Sequence, residues 1–266
     1  MRTLLHSLWT HRADHARTLF ALARREIVPI FLLCFAAACL WLFAGLVDEV
    51  AENETHGFDM AVLDALRGAG PEDPIGPEWL EDAARDFTSF GGTLVLIMMA
   101  LIAGAYLLLT RRGPAAIYLA VCLAGGGALS NIVKATMGRS RPDEIYQAVP
   151  VFSASFPSGH ALLSAVFYLT LGALLSRVQE RKRIKAFLLA SAVWMTLLVG
   201  STRIYLGVHW TTDVLAGWTL GAAWAALCWC GLLLLQKRRA RKAPGAAPVY
   251  GGDVPAGAAE SARPRR

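Results

Sequence analysis

Six apolar runs, each close to the length of a membrane-crossing helix, constrain this chain more than any other feature. They lie at 28–47, 91–110, 114–133, 160–176, 186–201 and 212–235, and a helix needs about 20 residues to cross about 30 Å of hydrocarbon. Lipid offers the backbone no hydrogen-bond partner, so such runs become helices that satisfy themselves. The chain is 55% hydrophobic, and its 17% of charged residues fall in clusters, unlike an ordinary soluble domain. The expected fold is all-α, a polytopic membrane bundle of six transmembrane helices. The second and third runs are separated only by Arg111-Arg112-Gly113-Pro114. Fusing them would place two arginines in lipid, at roughly 2.5–3.5 kcal/mol each; a Gly-Pro turn avoids that cost.

Lysine and arginine set the orientation. With a cytoplasmic N-terminus, 20 of the 26 basic residues fall on the inner side, in segments 1–27, 111–112, 177–185 and 237–266, as the positive-inside rule requires. Residues 1–27 then form a cytoplasmic basic amphipathic leader suited to an interfacial helix on anionic lipid. Residues 28–235 form the six-span domain, and 236–266 a basic, disordered cytoplasmic tail. The leader is long for a signal peptide and no small-x-small cleavage site follows it, so 28–47 reads as a retained span. The outer segment 48–90 carries twelve acidic residues. It contains a stretch of helical periodicity, 58–66, and reads equally as a cover over a site or as a solvated linker. Outside it, four cations sit on the outer face against the topology rule: Lys134, Arg139, Arg141 and Arg203.

Those cations share their face with two histidines. Residues 157–160, Pro-Ser-Gly-His, open the fourth run, and the first N–H groups of a helix are free to bind an anion. Gly159 lets a ligand approach the backbone. Lys134, Arg141 and Arg203 add a point charge and two forks that grip phosphate oxygens. His209 and Asp213 are four apart, one helical turn. A carboxylate on one ring nitrogen leaves the other free to attack, which makes His209 a candidate nucleophile. His160 is then the candidate general acid.

The three segments resemble the signature motifs of the type 2 phosphatidic acid phosphatase superfamily, the integral-membrane lipid phosphate phosphatases related to vanadium haloperoxidases. Lys-x6-Arg-Pro is present as Lys134…Arg141-Pro142, Pro-Ser-Gly-His as 157–160, and Arg-x5-His-x3-Asp as Arg203…His209…Asp213. Thr202 stands where the family has serine. The resemblance is strong over 134–213, and Asp86–Gly92 is similar to bacterial members more weakly. It implies that His209 forms a phosphohistidine and Asp213 orients it. Lys134, Arg141, Arg203, Ser158 and the Gly159 amide would hold the phosphoryl oxygens, and His160 would protonate the leaving oxygen and then activate water. It implies no metal and no cofactor, and no metal-spaced His/Asp/Glu cluster stands in the motifs.

The expected partner is thus a lipid phosphate: undecaprenyl pyrophosphate, phosphatidylglycerophosphate, phosphatidic acid, diacylglycerol pyrophosphate or lipid A. The expected place is a bacterial inner membrane with the site facing outward. Alternatives are a phosphotransferase using the same intermediate, or a catalytically silent lipid-binding or transport protein. The basic pI follows from the cytoplasmic cations and does not imply nucleic acid; the oligomeric state is left open. Arg139 reads as a headgroup anchor. Tyr205, Trp210 and Trp218 read as packing or interfacial residues, and Tyr146 and Phe152 as candidate liners of the lipid's path. The glycines at 125–127 read as a close-packing site, and the five cysteines as apolar fillers.

Overall fold

The computed structural model describes residues 2–149 and 153–242, with side chains at 27–149 and 153–238. Phe152, the leader side chains and most of the basic tail lie outside the described residues. Eight α-helices follow in chain order among the described residues: α1 (Arg2–Ala51), α2 (His56–Ala65), α3 (Glu78–Ser89), α4 (Thr93–Leu109), α5 (Gly113–Met137), α6 (Gly159–Val178), α7 (Lys182–Tyr205) and α8 (Thr211–Lys242). Among the described residues five carry segments long and apolar enough to cross a membrane, and the number is six when α3 and α4, bent by 52° at their break, are counted together as one span. The protein is an all-α, polytopic membrane bundle, as the apolar runs required.

Local chemistry sets the joints. Helix α4 stops at Leu109, Arg111 turns with φ 58°, and α5 restarts with Pro114 in its first turn, where its missing N–H costs nothing. Gly138 ends α5 with a left-handed φ of 56°. Gly207 turns the chain between α7 and α8 with φ 66°, and a Cβ there would lie 2.0 Å from the Tyr146 carbonyl oxygen; only glycine fits.

Helix α6 is the axis of the bundle, with 56% of its span buried against 11% for α1. Lipid supplies no hydrophobic drive between helices, so close backbone approach must hold them. Gly217 and Gly221 on α8 face α6; Cβ atoms there would meet the carbonyl oxygens of Ser158 at 2.7 Å and Leu162 at 2.6 Å. Gly200 on α7 receives the Trp218 indole, whose N–H donates to the Thr196 carbonyl at 3.0 Å. Of the three glycines in α5, Gly125 lies against Trp224 and Gly126 against Val166. The cysteines are all unpaired.

The alternating helices bring the C-terminal ends of α5 and α7 to the N-terminal ends of α6 and α8. Segment 48–90 is docked there. Helix α2 packs on α8 and α3 on α7. Arg67, between them, donates to the carbonyls of Tyr146 and Tyr205, both at 3.0 Å.

Candidate active site

Helix α8 begins at Thr211, so Asp213 lies in its first turn and His209 just before it. Asp213 is fully buried and His209 is 2% exposed. Nδ1 of His209 lies 3.4 Å from Asp213 Oδ2, and Nε2 lies 3.1 Å from the Arg141 guanidinium. With the proton on Nδ1, facing the carboxylate, Nε2 presents its lone pair toward the cations. Burial pushes the His209 pKa down to about 3, although Asp213 pulls it up; the ring is neutral at ordinary pH. Burial also lowers the Arg141 pKa, with Asp213 opposing, and the guanidinium stays charged.

The other motif residues converge on the same place. Ser158 caps α6, its hydroxyl accepting from the Ala161 N–H at 3.5 Å, and its own N–H donates to the Asp213 carbonyl at 3.0 Å. The α6 N-terminus is thereby tied to α8. Gly159 lies beside the Lys134 side chain, whose Cε would stand 3.7 Å from a Cβ there. Lys134 Nζ donates to the Ala154 carbonyl. Arg141 spans the site from the Ser153 carbonyl, at 2.7 Å, to the Val208 carbonyl. Arg203 is 3% exposed; one terminal nitrogen donates to Thr88 at 3.0 Å, and its Nε finds no partner among the described residues. The cations within electrostatic reach of the His160 ring are Arg203, Arg141 and Lys134. His160 packs under Gly91 and Gly92 at the α3–α4 break, where a Cβ on Gly91 would lie 3.3 Å from it.

Four residues that the motifs do not name complete the arrangement. Ser155 donates to Asp213 Oδ2, and the Trp210 N–H reaches the same oxygen at 3.0 Å. Thr88 orients Arg203. Arg139 is no headgroup anchor: it is largely buried and donates to Asp213 at 2.7 Å and to Asp59 at 2.8 Å. Asp59 comes from α2, so segment 48–90 contributes directly to the site and is not a solvated linker. The outer-face surplus of cations was the sequence signal for Arg139; no motif pointed to Ser155.

The arrangement brings together an oriented imidazole, a second imidazole, three cations and a helix N-terminus. Residues 115–236 match the PAP2 superfamily. The chain is 30% identical over 147 residues to phosphatidylglycerophosphatase B of Bacillus subtilis, covering 54% of this chain and 70% of that protein. It is 30% identical over 202 residues to the lipid A 1-phosphatase of Rhizobium etli, covering 65% and 81%. The crystal structure of a transmembrane PAP2 type phosphatidylglycerolphosphate phosphatase from Bacillus subtilis superposes with a TM-score of 0.67 at 27% identity, over 73% of this chain and 94% of that one.

Proposed function

Because the chain belongs to the PAP2 superfamily, we propose that it is an integral-membrane lipid phosphatase that cleaves a phosphate monoester or diphosphate from a lipid through a phosphohistidine. His209 Nε2 attacks phosphorus in line while Asp213 holds the Nδ1 proton and balances the charge that the ring gains. His160 gives its proton to the departing lipid oxygen. It then takes a proton from water, whose oxygen displaces the phosphoryl group from His209 and leaves as inorganic phosphate. Lys134, Arg141, Arg203, the Ser158 hydroxyl and the Gly159 N–H hold the phosphoryl oxygens, stabilising charge where it develops. Neither metal nor cofactor enters these steps.

The observation that carries this reading is the His209 ring itself, with Nδ1 on a buried carboxylate and Nε2 facing the Arg141 guanidinium. The unpartnered Nε of buried Arg203 adds weight, because a buried donor left unmade is costly until a ligand takes it. An apolar cleft of about 730 Å³ between α4 and α5, running from Thr93 to Leu108, suits acyl chains. By the positive-inside rule the site faces the exterior of a bacterial inner membrane, with the leader 1–27 and tail 236–266 in the cytoplasm.

Purified protein should release inorganic phosphate from one or more of phosphatidylglycerophosphate, phosphatidic acid, undecaprenyl pyrophosphate and lipid A in mixed micelles, with chelator present. His209→Ala should abolish turnover. Near-full release by His209→Ala, or loss of wild-type activity on chelation, refutes the mechanism.

A further inference from the structure

Arg139, the cation that no motif claims, divides its guanidinium between two buried carboxylates. One terminal nitrogen donates to Asp213 Oδ1 at 2.7 Å and to Thr212 Oγ1 at 2.8 Å. The other donates to Asp59 Oδ2 at 2.8 Å and to Thr55 Oγ1 at 3.0 Å. Both carboxylate side chains are 0% exposed, and that of Arg139 is 12% exposed. Asp59 also grips the start of α8, accepting the Thr212 N–H at 2.9 Å and the Thr212 hydroxyl at 2.7 Å. The Trp210 ring lies under the guanidinium, 5.7 Å from it, and His56 packs edge-on against that ring at 5.6 Å.

This geometry does more than cross-link. A planar guanidinium on Asp213 alone would neutralise the carboxylate that His209 needs. Two carboxylates on one guanidinium leave a net negative charge in a water-excluded site, next to the imidazole that turns positive when it attacks phosphorus. Oδ1 of Asp213 is occupied by Arg139, so Oδ2 is left to His209, Ser155 and Trp210 in a fixed orientation.

We propose that Asp59 and Arg139 are positioning residues for the phosphoryl transfer, acting through Asp213 on His209, so that helix α2 of the outer segment is part of the catalytic unit. The inference rests on His209 as nucleophile. Neither Asp59 nor Arg139 touches the substrate; they set the orientation and the negative field of the carboxylate that does the orienting.

The test is phosphate release by purified Asp59→Asn, Arg139→Lys and the double variant, on the lipid that wild type cleaves best, with a thermal melt of each. Asp59→Asn keeps the shape and removes the charge. Arg139→Lys keeps the charge and loses the planar fork. Each should lower kcat about tenfold to a hundredfold, the size of loss seen when the outer partner of a metal-bound imidazole is removed, with KM changed less than about threefold, since the phosphate's own partners remain. The losses should not multiply in the double variant, because both act through one carboxylate. If Asp59→Asn fails to fold, Arg139→Lys alone carries the kcat and KM readout. A melting temperature that drops while kcat stays within about twofold of wild type would make the cluster merely structural and overturn the inference. Losses that multiply overturn it too. A wild-type protein inert on every lipid phosphate overturns the phosphatase reading and this inference with it, whereas an active wild type with an unaffected Asp59→Asn sinks the inference alone.

Discussion

Acidification should destabilise this protein through His209, by an amount the structure sets. The ring is 2% exposed, and burial holds its pKa at about 3 against an ordinary 6.5. The sign follows from proton uptake. Between those two values the unfolded chain binds a proton at this position and the folded protein does not, so stability falls as pH falls through the window. Each pH unit well inside it costs about 1.4 kcal/mol, and from pH 6 to pH 4 the loss from this one ring is about 2–3 kcal/mol. At roughly 2–4 °C per kcal/mol for a chain of this size, that is about 5–10 °C of melting temperature. Asparagine at 209 retains a donor for Asp213 but binds no proton. Thermal melts of wild type and His209→Asn in detergent at pH 6 and pH 4 therefore isolate the contribution, since all other titrating groups are shared. The wild type should lose about 5–10 °C more than the variant on acidification. Equal losses in the two proteins would show that His209 is not held neutral by burial, and would remove the electrostatic basis for Nε2 as a free nucleophile.

Two further outcomes test the site and the packing that builds it. His160→Asn should slow lipid dephosphorylation by about 10²–10⁴ but should slow the single-turnover burst of p-nitrophenol from p-nitrophenyl phosphate far less, because that leaving oxygen needs no proton; equal losses in turnover and burst would deny His160 the acid role. Gly221→Val drives a side chain into the Leu162 carbonyl, 2.6 Å from where its Cβ must sit, and overpacking of this kind costs about 1–3 kcal/mol. Gly231→Ala on the same helix, where a Cβ meets nothing within 4 Å, should not lower the melting temperature, since alanine is the better helix former.

What the sequence disclosed, and what it hid, follows from the range of the interactions. The helical bundle was legible because lipid leaves apolar runs one conformation, and the Arg111-Arg112 turn was legible because the alternative buries two charges. His209 with Asp213 could be read from a four-residue spacing, and Lys134, Arg141, Arg203 and Gly159 from the short motifs that hold them. The supporting residues could not. Ser155 reaches Asp213 across 58 residues, Arg139 reaches Asp59 across 80, and Thr88 reaches Arg203 across 115. No local period records such pairs.

Two of them nevertheless left traces. Arg139 stood among the outer-face cations that orientation disfavours, a cost that needs a reason, and headgroup anchoring was the cheaper but mistaken one. Asp59 was one of twelve acids in the outer segment, yet it lies one turn before Leu63 on the inward face of α2, and these two are the buried residues of that helix. A carboxylate on the apolar stripe of an amphipathic helix must have a cation or a helix N-terminus waiting for it. Here it has both, in Arg139 and the first turn of α8. The motif residues therefore say what is done to the phosphate, while misplaced charges, a cation outside and an acid inside, say what holds the nucleophile to its task.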